Sequence, residues 1–207
     1  RQAPSPSGNW RRAVLADGRA LWVDAADSLG LAASGVFEPA ESALCASLLR
    51  SGDRVLDIGA NLGYYTTLCA ERVGPTGRVD AIEPDPDNFA LLDANTRELQ
   101  SQGRVRLHAL AFSDTTGKAQ LFRSKDNIGM HRLYASVCCD STAIEVPTRR
   151  GDEFTLAPLD FIKIDIEGFE PFALRGLAAT LARSPDVKIL CEYSPLAMLE
   201  AGGDPGQ

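Results

Sequence analysis

Four acids stand at the same kind of place in four different segments. Asp57, Glu83, Asp165 and Glu192 each close a short apolar run, in RVLD, RVDAIE, DFIKID and VKILCE. A carboxylate at such a tip can accept hydrogen bonds from hydroxyls, pair with an ammonium group or take up a proton. It opposes a phosphate. The stretch around the first of them, residues 54–67, reads RVLDIGANLGYYTT. Gly59 and Gly63 follow Asp57, and a helical pattern begins at once, so this is a strand feeding a helix through a turn. Gly59 permits a tight turn without steric penalty. Gly63 lets the helix approach the strand, or a ligand approach the helix, and the first N–H groups of that helix point at whatever lies there.

The glycine spacing separates two nucleoside ligands. A dinucleotide loop reads G-x-G-x-x-G after its strand and meets a pyrophosphate. Here Ala60, Asn61 and Leu62 stand between the glycines, and Asp57 lies two residues before the first of them. A carboxylate aimed into that turn favours an ammonium group or a hydroxyl. S-adenosylmethionine has a positive amino-acid end and no phosphate, so the loop favours it over NAD. Glu83, twenty residues after Gly63, is placed to accept hydrogen bonds from ribose hydroxyls. NAD sites use the same device, so Glu83 marks an adenosine ligand without choosing between the two. Glu38 is a further cofactor candidate. Its alternative is to complement the dipole of the helix that follows, together with Glu41.

The elements that must carry these acids alternate. Residues 54–57, 78–83, 105–111, 160–165 and 187–192 read as strands. Helical patterns follow over 37–50, with Leu44, Leu48 and Leu49 on one face, from Gly63 to about residue 73, over 88–99 with Asp87 as cap, over 171–182, and briefly over 196–201. Five such alternations predict a parallel sheet with helices on both faces, and ligands bind such sheets beyond the carboxyl ends of the strands. Residues 1–8 form a Pro/Ser-rich tail, 10–23 a hairpin turning at Asp17-Gly18, and 25–35 a loop or short helix. Between residues 118 and 150 the rhythm changes to two antiparallel-type strands, AQLFRS and AIEVPTR, around the loop DNIGMHRLYAS. This is an insertion, and loops on a rigid scaffold are where specificity usually sits. The division is therefore a tail and hairpin, 1–34, and one α/β domain, 35–207.

Composition excludes several classes. The 207 residues carry a net charge of −7 and are 44% hydrophobic and 24% charged, an ordinary soluble pattern. An acidic chain lacks the basic footprint of a nucleic-acid binder. No apolar run reaches the length of a membrane span, and no signal peptide is visible, although the sequence starts at Arg1 rather than Met. The five cysteines (Cys45, Cys69, Cys138, Cys139 and Cys191) include no C-x-x-C and read as core thiols of a cytoplasmic protein, with Cys138-Cys139 as a possible reactive pair.

DIGANLGYYT, AFSD, DNIGMHRL and above all DFIKIDIEGFEPFALRG resemble the FkbM-type family of S-adenosylmethionine-dependent methyltransferases, with the motifs in order over roughly residues 35–195. The resemblance implies a Rossmann-like class I methyltransferase fold and O-methylation of a hydroxyl on a sugar or secondary metabolite. Such a fold normally finishes with a sixth and an antiparallel seventh strand, and this sequence stops soon after the fifth, which leaves open whether those strands lie beyond it. By position, Asp57, Gly59 and Asn61 would line the methionine end of the cofactor, Glu83 would hold the ribose, and Ala111 and Phe112 would border the adenine. Ala60, Gly63, Tyr65 and Pro84 stand beside them as cofactor-side candidates. Asp165, Glu167 and Glu170 would face the reaction.

An alcohol must lose its proton as it is methylated. Asp165, Glu167, Glu170 and His131 are candidate bases, Asp165 first because it ends the fourth strand. Each has a plain structural alternative: a helix cap for Asp165, dipole compensation for Glu167 and Glu170, a solvated loop residue for His131. His108, within an apolar strand, reads as a core or edge histidine. Asp165, Glu167 and Glu192 could offer oxygens to Mg²⁺, but the sequence holds no dedicated ligand cluster and no metal site is assigned. Two further readings stay open: a non-catalytic binding or scaffold module on this fold, and an NAD-dependent oxidoreductase. The acceptor is a hydroxylated small molecule of unstated identity, and the oligomeric state is open.

Overall fold

The computed structural model describes residues 10–124, 127–135, 143–154 and 158–206. The expected tail 1–8 and the Cys138-Cys139 pair lie outside them. The chain opens with an antiparallel hairpin, β1 (Arg11–Val14) and β2 (Ala20–Val23). A four-residue turn of helix, α1 (Leu31–Ser34), and α2 (Pro39–Leu48) follow. The α/β alternation then runs β3 (Arg54–Ile58), α3 (Tyr64–Val73), β4 (Arg78–Ile82), α4 (Pro86–Ser101) and β5 (Val105–His108). A second small sheet comes from β6 (Ala111–Phe112), β7 (Gly117–Phe122) and β8 (Ala143–Arg149). After a 3₁₀ turn at Gly151–Glu153, the main sheet is completed by β9 (Phe161–Ile164), helices α5 (Glu170–Gly176) and α6 (Ala178–Ala182), β10 (Lys188–Cys191) and α7 (Pro195–Glu200).

The main sheet has the order β10-β9-β3-β4-β5, every pair parallel. The chain builds outward from β3 to β5, then returns to β3's other side with β9. The junction of β3 and β9 is thus the topological switch point, where crossovers diverge and open a crevice at the carboxyl ends. Strand alternation sends Val55, Val79 and Phe161 to one face, against the hairpin and the tyrosine-rich start of α3. Leu56, Ile58, Ile162 and Ile164 go to the other, against Phe112, Ala173 and Leu177.

Several expectations need correcting. The run 105–111 is not one strand: it leaves the main sheet after His108, and Ala111–Phe112 pairs in parallel with β8 in the small sheet. The helix after β4 starts at Pro86, and its cap is Asp85, whose side chain accepts from the N–H groups of Asp87 and Asn88. Proline at the first helical position leaves Asp87 inside the helix. The helix expected over 171–182 is broken at Leu177. In α2 the buried residues are Ser42 and Cys45, whereas Leu44 is 48% exposed. The insertion does form the expected antiparallel pair. His108 sits on the edge strand with its ring nitrogen 2.8 Å from Asp80. Cys45 and Cys69 are buried thiols. Among the described residues no helix is long and apolar enough to cross a membrane.

One side chain ties the hairpin to this frame. Asn95 of α4 accepts from Trp22 N–H at 2.6 Å and donates to the carbonyls of Trp22 and Leu62 at 2.9 and 2.8 Å. Asn95→Ala orphans an edge N–H and two carbonyls, so urea unfolding is expected to show a loss of about 2 kcal/mol. A loss below a few tenths would mean that apolar packing alone holds the hairpin.

Candidate active site

Beyond the carboxyl ends of β3, β4, β9 and β10 lies a cleft of about 260 Å³. Its floor is the turn after β3. Gly59 and Ala60 both donate to the Ile82 carbonyl at 3.0 Å, while Asp165 N–H donates to the Ile58 carbonyl at 3.1 Å, so the turn is pinned from both sides. Glu83 completes it. Its carboxylate is 5% exposed and accepts from Asn61 N–H at 2.8 Å and from Asp85 N–H at 2.9 Å. Burial outweighs those two hydrogen bonds and pushes its pKa up to about 8.

Beneath the floor Asp57 is fully buried. One oxygen accepts from the Thr66 hydroxyl at 2.6 Å; the other has no hydrogen-bond partner among the described residues. Burial raises its pKa against the opposing pull of Lys163 and Thr66. Lys163, from the middle of β9, rises into the cleft with its Nζ 2.7 Å from Asp165 and 4.4 Å above the Tyr65 ring. Tyr65 in turn donates to Glu38 at 2.8 Å. Burial alone would lower the lysine pKa, but Asp165 and Asp57 outweigh it and raise it.

The outer wall is acidic. Asp165, Glu167 and Glu192 each offer an oxygen within 4.8 Å of the others. Burial and the charge of Asp165 push Glu192 up to about 8. Burial likewise raises Glu167, which receives a hydrogen bond from Arg132 at 3.1 Å. Two of these three carboxylates already carry a cationic partner, Lys163 on Asp165 and Arg132 on Glu167. The roof comes from the insertion: the Ile128 carbonyl accepts from both Asn61 and Asn88 side chains at 3.0 Å. Glu38, Asn61 and Glu167 are three of the four non-glycine residues with positive φ among those described (44°, 51° and 57°), and all three line the cleft. Left-handed backbone at residues with side chains is costly and gathers where a site requires it.

A sequence model of the methyltransferase FkbM domain matches residues 57–204, more than half of the chain. The chain belongs to the FkbM methyltransferase family. The crystal structure of the methyltransferase FkbM from Methylobacillus flagellatus KT superimposes with a TM-score of 0.55 at 22% identity, covering 75% of this chain and 38% of that one, which shows a shared fold. The protein-L-isoaspartate O-methyltransferase of Ignicoccus hospitalis is 39% identical over 71 residues, 34% of this chain and 28% of that protein. The Archaeoglobus fulgidus protein-L-isoaspartate O-methyltransferase 2 is 36% identical over 66 residues, 32% and 25% of the two chains. The chain thus spans well under half the length of these relatives.

Membership of the FkbM family implies S-adenosylmethionine, and the residues present fit it. Four carboxylates (Glu38, Glu83, Asp165, Glu167) and Glu192 at the rim line this FkbM cleft, against one lysine already paired with Asp165. That donor set suits a cationic nucleoside without phosphate and does not suit a pyrophosphate. Ala111 and Phe112 add a buried apolar shelf beside Gly59, Ala60, Asn61, Tyr65, Glu83 and Pro84.

Three expected site residues stand elsewhere. Asp57 lies beneath the floor of the cleft rather than in its lining. Gly63 faces Leu92 of α4, whose methyl would lie 2.9 Å from an added Cβ; it is a helix-packing glycine. Glu170 is 1% exposed, and its carboxylate accepts from Ile166 N–H and Gly168 N–H at 3.0 and 3.2 Å; it closes the turn into α5 and does not reach the cleft. His131 does line the cleft, but its Nδ1 accepts from Ser124 N–H at 3.1 Å, and its Nε2 lies 3.8 Å from Asp85. With its accepting nitrogen occupied and its pKa lowered by burial, it braces the insertion. Lys163, Asn88 and Ile128 were not singled out from the sequence. A lysine inside an apolar run, FIKI, was the available signal for the first. No local signal marks a backbone carbonyl.

Proposed function

We propose that this chain is an S-adenosylmethionine-dependent O-methyltransferase whose acceptor is an uncharged hydroxylated small molecule, such as a sugar or secondary metabolite. The observation that carries the reading is the cleft at the switch point, walled by carboxylates and floored by a glycine turn free of basic groups. The cofactor, when bound, supplies an electrophilic methyl group on sulfur. The chain's own tasks are then to hold, align and take a proton. Gly59, Ala60 and Asn61 border the amino-acid end, with the charge of Asp57 below them. Glu83 takes the ribose hydroxyls, and Ala111 and Phe112 cover the adenine. Asp165, at the tip of β9, is the group placed to accept the proton of an acceptor hydroxyl, with Glu167 and Glu192 beside it.

The acidic wall also selects. Negative charge on this wall, centred on Asp165, opposes a carboxylate or phosphate on the acceptor, which argues against the isoaspartate named for the archaeal relatives and against nucleic acid. It favours hydroxyls, which donate to these acids. The same wall would tolerate Mg²⁺, but Lys163 and Arg132 already occupy two of its three members, so no metal enters the reading.

Calorimetric titration with S-adenosylmethionine, S-adenosylhomocysteine and NAD tests it. Micromolar binding of the first two and none of NAD is expected, followed by release of S-adenosylhomocysteine with hydroxylated acceptors. Binding of NAD instead would overturn the reading in favour of an oxidoreductase. Cofactor binding with no turnover on any hydroxylated acceptor would favour a scaffold.

A further inference from the structure

The register of the central strands pairs Asp57 of β3 directly with Lys163 of β9. Parallel neighbours at one level send their side chains to the same face, about 5 Å apart. That face carries α3, and there Lys163 meets a prepared surface: its side chain is 7% exposed, its Nζ lies 4.4 Å from the centre of the Tyr65 ring, and the ring is fixed by the Tyr65–Glu38 hydrogen bond. Its Nζ reaches Asp165, two residues on in its own strand's exit. One buried ammonium therefore contacts the acid of its own strand's exit, Asp165, and shares its level in the sheet with the acid of the neighbouring strand, Asp57, whose charge acts on it without a direct hydrogen bond. Among the described residues no other basic side chain takes this place: Arg132 is engaged by Glu167 and Glu200.

We propose that Lys163 is the positioning residue of this cleft, an internal counter-ion that joins Asp57 and Asp165 into one charged unit and fixes how Asp165 faces the acceptor. Two consequences follow from the geometry. Asp57 keeps an oxygen without a hydrogen-bond partner, and the lysine charge beside it offsets what would otherwise be an isolated buried anion. Asp165 commits one oxygen to Lys163 and itself lines the cleft, so the lysine contact limits how this carboxylate can turn toward an acceptor. The inference rests on the proposed reaction only for the role of Asp165; the counter-ion itself is a property of the free protein.

The test therefore needs no ligand. Thermal unfolding is measured for the wild type, K163M, K163Q, D57N, D165N and the double variants K163M/D57N and K163M/D165N. Breaking a buried pair from one side should lower the melting temperature of K163M by about 10 °C. Neutralising either acid in the K163M background should restore part of that loss, although each acid variant alone is destabilised. Lysine-selective ¹⁵N–¹H correlation at pH 8, where exposed ammonium protons exchange too fast to be seen, should show a protected ammonium signal that is absent in K163M and shifted in D57N and D165N. K163Q supplies the same comparison should K163M not fold. No rescue by either acid variant, or no protected ammonium signal, would overturn the proposal and leave Lys163 as a packing stem. Rescue and signal in a protein that binds neither S-adenosylmethionine nor S-adenosylhomocysteine would keep the counter-ion and overturn the cofactor reading instead.

Discussion

Gly59→Ala is expected to abolish cofactor binding and to lower the melting temperature by 10 °C or more. A Cβ at residue 59 would lie 1.9 Å from the Asp165 carbonyl oxygen and 3.0 Å from its carbonyl carbon. These are backbone atoms of the neighbouring strand's exit, so no rotamer change relieves the clash. The turn cannot retreat either, because Gly59 and Ala60 are both bound to the Ile82 carbonyl on the other side. The left-handed φ of +83° adds strain for any residue with a side chain. Relief requires β3 and β9 to part at the switch point, at a cost on the order of 3–5 kcal/mol, a large share of a typical domain's total stability. Gly18→Ala is the control. It has a similar φ of +89° but nothing within 4 Å of an added Cβ, so only about 1–2 kcal/mol of backbone strain is expected. A Gly59→Ala protein that melts within about 3 °C of the wild type would show that the two strand exits are not held as closely as this geometry requires.

The same turn shows what the sequence could and could not disclose. The apolar runs ending in Asp57, Glu83, Asp165 and Glu192 were legible because strand tips are written locally, as a hydrophobic stretch, an acid and a turn. The parallel sheet followed from their alternation with helical patterns. What was not legible depends on register and on partners distant in sequence. Asp57 and Asp165 look alike as strand-end acids, yet one is sealed beneath α3 with Thr66 and the other faces the cleft. Only the pairing of Asp57 with Lys163 across β3 and β9 distinguishes them. The resemblance put Glu170 on the reaction side with Glu167, but the positive φ at Glu167 and Gly168 turns the chain there, and the Glu170 carboxylate folds back onto the N–H groups of Ile166 and Gly168. The break after His108 had no glycine or proline to announce it. It arises because Ala111–Phe112 finds a partner in β8, more than thirty residues later. Likewise Leu44 satisfied a helical face on spacing alone, whereas the space beside α3 is filled by Ser42, bonded to the Tyr64 hydroxyl at 3.1 Å, and by Cys45.

Glu83 should be the most pH-sensitive part of cofactor binding. Glu83→Ala removes the acceptor of two loop N–H groups, those of Asn61 and Asp85, and is expected to cost about 2–4 kcal/mol of stability and on the order of 100-fold in S-adenosylhomocysteine affinity. Glu83→Gln retains one oxygen and can satisfy only one of the two donors, so it should fall between. Burial pushes the Glu83 pKa up from its usual 4.5 to about 8 in the free protein. The folded chain therefore holds a proton that the unfolded chain has released, and stability falls as pH rises from about 4.5 through 8. Binding runs the other way. Ribose hydroxyls donate best to a carboxylate, so the complex favours the deprotonated form, and binding near pH 7 releases a proton. Affinity for S-adenosylhomocysteine should thus rise between pH 6 and 8 and then level off, while Glu83→Gln loses both the rise and the proton release. Calorimetry at pH 7 in two buffers of different ionisation enthalpy reads that proton directly. A wild-type affinity that is flat from pH 6 to 9, with no buffer dependence, would place the ribose away from Glu83 and leave this acid as the clamp of its own turn.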